Sequence, residues 1–248
     1  MGAITRELAQ SAGKVLALEV DPELAAGLSA EFSGAGIERG TDDRASNVEI
    51  DTVDVLSFDF KAASVPAAQK LIVAGNLPYY ITSPILMKLA ENAEVLDRAV
   101  LMVQREVADR VAAEPGSRDY GLLSVAVQMH GPVERLFTLP PSAFSPPPEV
   151  HSTVFRWRFA PRFQELGLDR GQFLKFLKQV FALKRKTLAN NLRAAGIDAA
   201  LVVDALANAG IDSRARAEAV SVESLAALWR FLSAKGATPT NEVAPEAD

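Results

Sequence analysis

Four residues, Asn76-Leu77-Pro78-Tyr79, stand where a strongly apolar run, 71–75, stops and a helical pattern begins. The amide oxygen of Asn76 and the carbonyl of Leu77 are two acceptors that could bind the two hydrogens of an exocyclic amine on a flat base. Pro78 restricts the backbone, so the Leu77 carbonyl cannot swing away, and Tyr79 could stack on the base. The alternative is a tight turn with two core tyrosines. The position at the mouth of an apolar strand favours the amine chemistry.

Such a site suits an adenine amine, which is a weak nucleophile because its lone pair is delocalised into the ring. Two acceptors would favour a tetrahedral nitrogen whose lone pair points at an electrophile. This chemistry needs neither a metal nor a strong base. It fits a chain without cysteines and with only two histidines, His130 and His151, which we interpret as structural. We therefore expect no metal site.

Two acidic residues, Glu19 and Asp54, stand near the carboxyl ends of other predicted strands. An acid at a strand end is suited to binding the two hydroxyls of a ribose, and Asp54 could accept a hydrogen bond from an adenine amino group. Taken singly, each acid is explained as well by capping of the helix that follows. Together with the Asn76 turn, the two acids could bind a nucleoside, with Val20 and Val55 as apolar contacts for its ring.

The elements that must position these residues follow an α/β pattern. Apolar or β-branched runs alternate with helical patterns, which indicates a parallel sheet covered on both faces. In such a sheet, ligands bind at the carboxyl ends of the strands. The predicted parallel strands are 15–20, 47–56, 71–75 and 99–104, and the runs 133–139 and 150–159 are expected to form a closing antiparallel pair.

The texture changes after Pro161, where three helices are predicted at 173–196, 198–210 and 221–236. Glycines are expected to end these helices, and Ser221 to cap the last one. The predicted organisation is a domain at 1–161, a helical domain at 162–236 and a disordered tail at 237–248.

Composition sets further limits on the function. The chain has 248 residues, of which 49% are hydrophobic, as in a packed globular protein. There is no run of membrane-spanning length and no signal peptide pattern, so we expect a cytoplasmic protein without a membrane partner. Residues 1–60 carry a net charge of −8, whereas residues 151–193 carry +8. The basic part could meet a phosphate backbone, and the alternative is a solvated helix face.

Eight stretches of the chain resemble one enzyme family, the ribosomal RNA adenine N6,N6-dimethyltransferases. They run in family order over nearly the whole chain, and the last three are specific to this family rather than to methyltransferases at large. The stretches are LEVD (18–21), DVLSFDF (54–60), GNLPYYITSPIL (75–86), QREVADRV (104–111), YGLLSV (120–125), PPSAFSPPPEVHSTVFRW (140–157), KRKTLANNL (184–192) and RAEAVSV (216–222).

This resemblance implies a Rossmann-like methyltransferase domain followed by a small helical domain. It implies S-adenosylmethionine as cofactor, and two adjacent adenosines near the 3′ end of small-subunit rRNA, in a pre-ribosomal particle, as substrate. By resemblance, Glu19 binds the cofactor ribose, Asp54 contacts its adenine and Asn76 positions the target amine. The resemblance further assigns base stacking to Tyr79 and Phe144, with core packing as the alternative for Phe144, and rRNA phosphate contacts to Lys184, Arg185 and Lys186 on a helix. The protein is expected to be a monomer.

The beginning of the chain departs from the family pattern. MGAITREL aligns with the end of the family's glycine-rich cofactor loop, of which only Gly2 remains. The family's first strand lies between the strands equivalent to 15–20 and 71–75. Its absence is expected to leave two apolar edges facing a gap. Our hypothesis is that Met1 is an internal start, and regular direct pairing of 15–20 with 70–75 would count against it.

Three alternatives to the small-subunit enzyme are open. The erythromycin-resistance type methylates large-subunit rRNA with the same turn. A non-catalytic assembly factor would bind nascent small subunits through the basic helix, and the missing loop keeps this alternative open. A DNA or protein methylase shares Asn-x-Pro-Tyr but gives no reason for the basic helix. KRKTLANNL and RAEAVSV favour the small-subunit enzyme.

Overall fold

The computed structural model describes residues 2–33, 47–64 and 69–237. Met1, residues 34–46, residues 65–68 and all but the first residue of the predicted tail lie outside the described residues. The described helices and strands are α1 (Ala3–Ala9), β1 (Val15–Glu19), α2 (Pro22–Phe32), β2 (Val48–Thr52), α3 (Phe60–Ala63), β3 (Leu71–Asn76), α4 (Thr82–Glu91), β4 (Leu96–Gln104), α5 (Arg105–Val111), α6 (Leu122–Gln128), β5 (Val133–Leu139), β6 (Ser152–Arg158), α7 (Arg170–Val180), α8 (Leu188–Ala194), α9 (Ala199–Asn208) and α10 (Val222–Ala234).

The described strands form two separate sheets. β1 and β2 make a parallel pair, and the second sheet has the order β3-β4-β6-β5. In the second sheet β3 and β4 are parallel, whereas β6 runs antiparallel to both β4 and β5. The predicted closing antiparallel pair is therefore confirmed. β1 and β3 lie in different sheets, so 15–20 and 71–75 do not pair directly, as expected.

Local sequence explains how several elements begin and end. Asp21 caps α2 by accepting hydrogen bonds from the Glu23 and Leu24 backbone N–H groups, and proline occupies the first helical position. Ser221 caps α10, as predicted, by accepting from the Ser224 N–H. Glycines with positive φ follow α8, α9 and α10, where a left-handed residue ends a helix at least cost; these are Gly196, Gly210 and Gly236.

The four-stranded sheet packs one face against α4, α5 and α6. The core formed by the sheet and these helices contains large side chains that are fully buried, including Leu86, Leu101, Phe155 and Trp157. Burial of each such side chain stabilises the fold by about 1.5–3 kcal/mol. This core holds β3 and β4 in fixed register, and so it fixes the point at which β3 ends.

A second core joins the C-terminal helices. It contains Phe173, Leu192 and Trp229 from α7, α8 and α10, and also Val125 and Met129 from the α6 region. The C-terminal helices are therefore packed directly on the end of the preceding part of the chain. The domain division at residue 161 stays a prediction.

The predicted helix 173–196 is wrong as a single element. α7 ends at Val180 and α8 begins at Leu188, with a turn between them. The reason lies in Asn191, whose amide accepts from the Leu183 N–H at 2.9 Å and donates to the Leu183 carbonyl at 3.3 Å. These bonds satisfy the Leu183 backbone outside a helix. Lys184, Arg185 and Lys186 accordingly lie in a turn.

Candidate functional site

The Asn76 turn begins where β3 leaves the sheet. Asn76 is the last residue of β3 and lies opposite Met102 of β4. The ladder continues one residue further, because the Leu77 N–H donates to the Met102 carbonyl at 2.9 Å. The Leu77 side chain is buried and the Asn76 side chain is exposed. The turn therefore starts from a fixed backbone and presents the amide of Asn76 at the carboxyl end of the strand.

Pro78 and Thr82 fix the next part of the turn. Pro78 has φ −60° and ψ 133°, the extended conformation usual for proline. Its carbonyl accepts from the Thr82 hydroxyl at 3.0 Å and from the Ile81 N–H at 3.2 Å. The hydrogen bonds inside the turn are thus received by the carbonyl of Pro78 rather than that of Leu77. This arrangement leaves the Leu77 carbonyl available as the second acceptor beside Asn76.

The two tyrosines of the turn are not core residues. Tyr79 is 38% exposed and Tyr80 is 84% exposed. The hydroxyl of Tyr79 lies 3.0 Å from that of Ser152, at the start of β6. The alternative of a turn with two core tyrosines is therefore wrong, and both rings reach the surface at the carboxyl end of β3. Sequence reasoning did not select Tyr80 or Ser152, and an aromatic pair after Asn-x-Pro was the available signal for Tyr80.

Glu19 and Asp54 lie together at one end of the β1–β2 pair. Glu19 is the last residue of β1 and is aligned with Thr52 of β2, and the Val53 N–H donates to the Glu19 carbonyl at 3.0 Å. The predicted strand 47–56 ends earlier, at Thr52. Asp54 therefore lies in the turn after β2, where its Oδ1 accepts from the Leu56 N–H at 2.9 Å. Both carboxylates are placed at the carboxyl ends of parallel strands, as predicted.

Both acids also make local hydrogen bonds. Glu19 Oε1 accepts from the Asp21 N–H at 3.0 Å, so each carboxylate uses one oxygen on a nearby backbone group. The second oxygen of each, Glu19 Oε2 and Asp54 Oδ2, is the atom that a ligand would engage. Val20 is 65% exposed, and Val55 is half-buried. An exposed valine beside a carboxylate fits an apolar contact with a flat ring.

Gly2 and Phe144 stay predictions as site residues. Gly2 has φ +66°, a left-handed conformation that favours glycine whatever its role, and a Cβ there would lie 2.7 Å from Leu28 Cδ2 of α2. Phe144 follows the 3-10 turn Pro141–Ala143 and is half-buried. It belongs to neither of the two clusters of buried side chains that the described residues form. That position favours a surface role for the Phe144 ring over core packing.

The residues predicted to contact rRNA phosphates lie on a basic surface. Lys184, Arg185 and Lys186 are all exposed in the turn between α7 and α8. The Leu188 N–H donates to the Ala215 carbonyl at 2.8 Å, which brings the exposed Arg214 and Arg216 alongside this turn. We call the five residues Lys184, Arg185, Lys186, Arg214 and Arg216 the basic surface. Sequence reasoning missed the two arginines, although the run RAR (214–216) was the signal for them.

The described ranges contain neither a cluster of metal-binding side chains nor a membrane-spanning helix. No three carboxylate, imidazole or thiol side chains there are grouped so that they could hold a metal ion. None of the described helices has both the length and the apolar character needed to cross a membrane.

The fold and the site define a class of protein. Parallel strand pairs with an antiparallel closing pair, acids at the ends of β1 and β2, and an Asn-Leu-Pro-Tyr turn at the end of β3 are together typical of a Rossmann-like methyltransferase that acts on an amino group. A family model described as ribosomal RNA adenine dimethylase matches residues 1–234. The chain belongs to this family.

Individual relatives and solved structures agree with this assignment. The chain is 53% identical over 231 residues to ribosomal RNA small subunit methyltransferase A of Acidobacterium capsulatum, covering 93% of this chain and 78% of the relative. It is 45% identical over 242 residues to the protein of the same name from Koribacter versatilis, covering 93% and 81%. The fold is similar to that of a dimethyladenosine transferase from Plasmodium falciparum, with a TM-score of 0.75, 22% identity and coverage of 95% and 87%.

The 23S rRNA methyltransferase ErmE is also similar, with a TM-score of 0.66, 25% identity and coverage of 94% and 87%. The predicted fold class, a methyltransferase α/β sheet followed by helices, is confirmed by these similarities. The predicted family is confirmed as well.

Proposed function

We propose that this protein dimethylates N6 of two adjacent adenosines near the 3′ end of small-subunit rRNA, with S-adenosylmethionine as methyl donor. The observation that carries the proposal is the Asn76 turn at the carboxyl end of β3. There the sheet fixes the backbone, Pro78 and Thr82 fix the turn, and an exposed amide and a carbonyl remain to bind an amine. The names of the relatives support the small subunit as the source of the substrate.

The turn would act on the amine through hydrogen bonding. Asn76 Oδ1 and the Leu77 carbonyl accept the two N6 hydrogens and favour a tetrahedral nitrogen with a localised lone pair. Tyr79 stacks on the adenine ring and holds it in the required plane. S-adenosylmethionine would supply the methyl group: the N6 lone pair would form the N–C bond as the S–C bond breaks, S-adenosylhomocysteine would leave, and the amine would lose one proton to water. The monomethylated amine still has a lone pair and one hydrogen for the same two acceptors, so a second round can follow.

The residues after β1 and β2 fit the proposed cofactor. Glu19 Oε2 could accept from a ribose hydroxyl, and Asp54 Oδ2 from the adenine amino group. Val20 and Val55 would contact the adenine ring. Glu19 ends β1, and Asp54 lies in the turn after the neighbouring β2. This proximity supports a ribose contact and a base contact side by side, as a nucleoside requires.

The basic surface would bind rRNA phosphates. Its five residues are exposed and lie in two adjacent segments, and such contacts contribute affinity rather than sequence choice. We further propose that the substrate is a pre-ribosomal particle, that the enzyme acts as a monomer, and that it works in the cytoplasm, where ribosomes are assembled.

Methylation of separated ribosomal subunits tests the reaction. We expect incorporation of methyl groups into small subunits that lack the modification, and dimethyladenosine in the digested rRNA. Asn76→Ala should abolish incorporation, whereas Asn208→Ala, an exposed asparagine at the end of α9, should not alter it. Incorporation into large subunits would instead support the erythromycin-resistance type.

Calorimetry tests the cofactor assignment separately. We expect S-adenosylmethionine to bind saturably, with affinity lowered about tenfold or more by Glu19→Ala or Asp54→Ala, because each variant removes a charge-assisted hydrogen bond. Asp51→Ala is the matched control, since Asp51 is an exposed acid within β2. No binding to the folded wild-type chain, together with tight binding to small subunits, would support the non-catalytic assembly factor.

A further inference from the structure

Tyr79 is tied to a distant part of the chain by a single side-chain hydrogen bond. Its hydroxyl lies 3.0 Å from the hydroxyl of Ser152, 73 residues further along the sequence. Ser152 is 1% exposed and is the first residue of β6. Tyr79 itself is 38% exposed. The tip of the ring is therefore held by a buried group while part of the residue stays open to solvent.

The anchor of this bond is rigid. β6 lies between β4 and β5, and Ser152 is aligned with Gln104 on one side and Leu139 on the other. The preceding residue is also fixed, because the Arg105 N–H donates to the His151 carbonyl at 2.9 Å. Ser152 thus lies in register with residues of both neighbouring strands, and a backbone bond at the end of β4 fixes the residue before it.

The Tyr79 ring is not part of the hydrophobic cores. Among the described residues, the two clusters of buried side chains and the half-buried residues packed against them do not include Tyr79. A tyrosine ring can rotate about two side-chain torsions, and a stacking surface must be held in one orientation before the base arrives. The hydrogen bond to Ser152 gives this ring a directional restraint at its tip.

We propose that Ser152 is a positioning residue that orients the Tyr79 ring for stacking on the target adenine. The inference rests on the proposed function, since it assumes that Tyr79 contacts the base. In the competing explanation, Tyr79 is only the hydrogen-bond partner that the buried Ser152 hydroxyl needs, and the bond does not orient the ring for a base. The two explanations differ in what happens to the bound base.

Fluorescence of a modified RNA separates them. The probe is a single-stranded RNA oligonucleotide that carries 2-aminopurine at the target adenosine, and stacking on Tyr79 should quench its emission without any methyl transfer. We expect Ser152→Ala and Tyr79→Phe each to weaken the quenching at saturating protein, and Tyr79→Ala to remove it. The combined Ser152→Ala and Tyr79→Phe variant should be no worse than either single variant, because both remove the same bond.

Kinetics on small subunits give the second measurement. Loss of one neutral hydrogen bond should lower kcat about fivefold to tenfold in Ser152→Ala, with KM for the rRNA substrate nearly unchanged. Thr153→Val is the matched control. It removes a hydroxyl that is also buried and also bonded to a hydroxyl, that of Thr138 at 2.9 Å, but successive strand residues point to opposite faces. We expect it to keep wild-type quenching and kcat.

The outcomes are distinguishable. Wild-type quenching and kcat in Ser152→Ala, with both lost in Tyr79→Ala, would overturn the role of Ser152 and leave the proposed function intact. Wild-type quenching in Tyr79→Ala would overturn both the stacking assignment and the inference that depends on it. A further loss of kcat when Ser152→Ala is added to Tyr79→Phe would show that Ser152 acts through another group, and it would also overturn the proposal.

Discussion

His130 gives the prediction whose magnitude follows most directly from the structure. His130 lies in the segment that connects α6 to β5, and its side chain is fully buried. Its Nδ1–H donates to the Ala126 carbonyl at 2.7 Å, and Nε2 has no hydrogen-bond partner among the described residues. Phe163 lies 5.0 Å from it between ring centroids. A charged imidazolium in this site would be poorly solvated.

The pKa of His130 is lowered from 6.5 to about 4, chiefly by burial; the bond to Ala126 opposes this shift, and the positive charge of Arg170 adds a smaller lowering. In the unfolded chain the pKa returns to about 6.5. As the pH falls below 6.5, the unfolded chain binds a proton that the folded protein does not. The free energy of unfolding therefore falls with pH between about 6.5 and 4, by about 2 kcal/mol from pH 8 to pH 5.

Urea unfolding of His130→Phe at pH 8 and pH 5 measures this contribution. Phenylalanine keeps an aromatic ring beside Phe163 and cannot titrate. We expect the difference in unfolding free energy between the two pH values to be about 2 kcal/mol smaller in the variant than in the wild type, whatever the absolute cost of the substitution. His151→Phe, which replaces an exposed histidine, is the control and should keep the wild-type difference. An unchanged difference in His130→Phe would refute the reasoning.

Two further predictions concern the backbone. Gly131→Ala should destabilise the fold by on the order of 3 kcal/mol or more. The reason is that Gly131 has φ +136° and a Cβ there would lie 1.9 Å from the Arg158 carbonyl oxygen. Urea unfolding checks this, with Gly13→Ala as the control because a Cβ at Gly13 meets open space. Asn191→Ala should cost about 2 kcal/mol by leaving the Leu183 N–H and carbonyl unpaired, and it should weaken rRNA binding by releasing the basic turn. Wild-type stability and rRNA affinity in Asn191→Ala would contradict this account.

Much of the architecture could be predicted from local sequence. The alternation of strands with helices predicted the parallel strands, and the runs 133–139 and 150–159 were expected to form an antiparallel pair. The start of α2 also has a local signal, since Asp21 before Pro22 both caps and pre-orders a helix. The position of the Asn76 turn after an apolar strand followed from the same pattern. These features depend on residues close in sequence, and so the sequence alone was sufficient.

The features that sequence reasoning missed depend on contacts between distant residues. The helix predicted over 173–196 is broken because Asn191 binds the backbone of Leu183, and helical periodicity does not report on such a bond. Arg214 and Arg216 join the basic surface only because the Ala215 carbonyl meets the Leu188 N–H. The contact between Tyr79 and Ser152 spans 73 residues. No local pattern predicts which hydroxyl meets which ring.

The division of the strands into two sheets has a functional consequence. The candidate cofactor residues Glu19 and Asp54 lie at the end of the β1–β2 pair, whereas Asn76, Tyr79 and Ser152 lie in or directly beside the sheet β3-β4-β6-β5. No strand-to-strand hydrogen bond among the described residues joins the two sheets. Local disordering of the strands in one sheet is therefore not transmitted to the other sheet through strand-to-strand hydrogen bonds. Cofactor calorimetry and quenching of 2-aminopurine consequently report on separate halves of the site, and only methyl transfer requires both halves in one geometry.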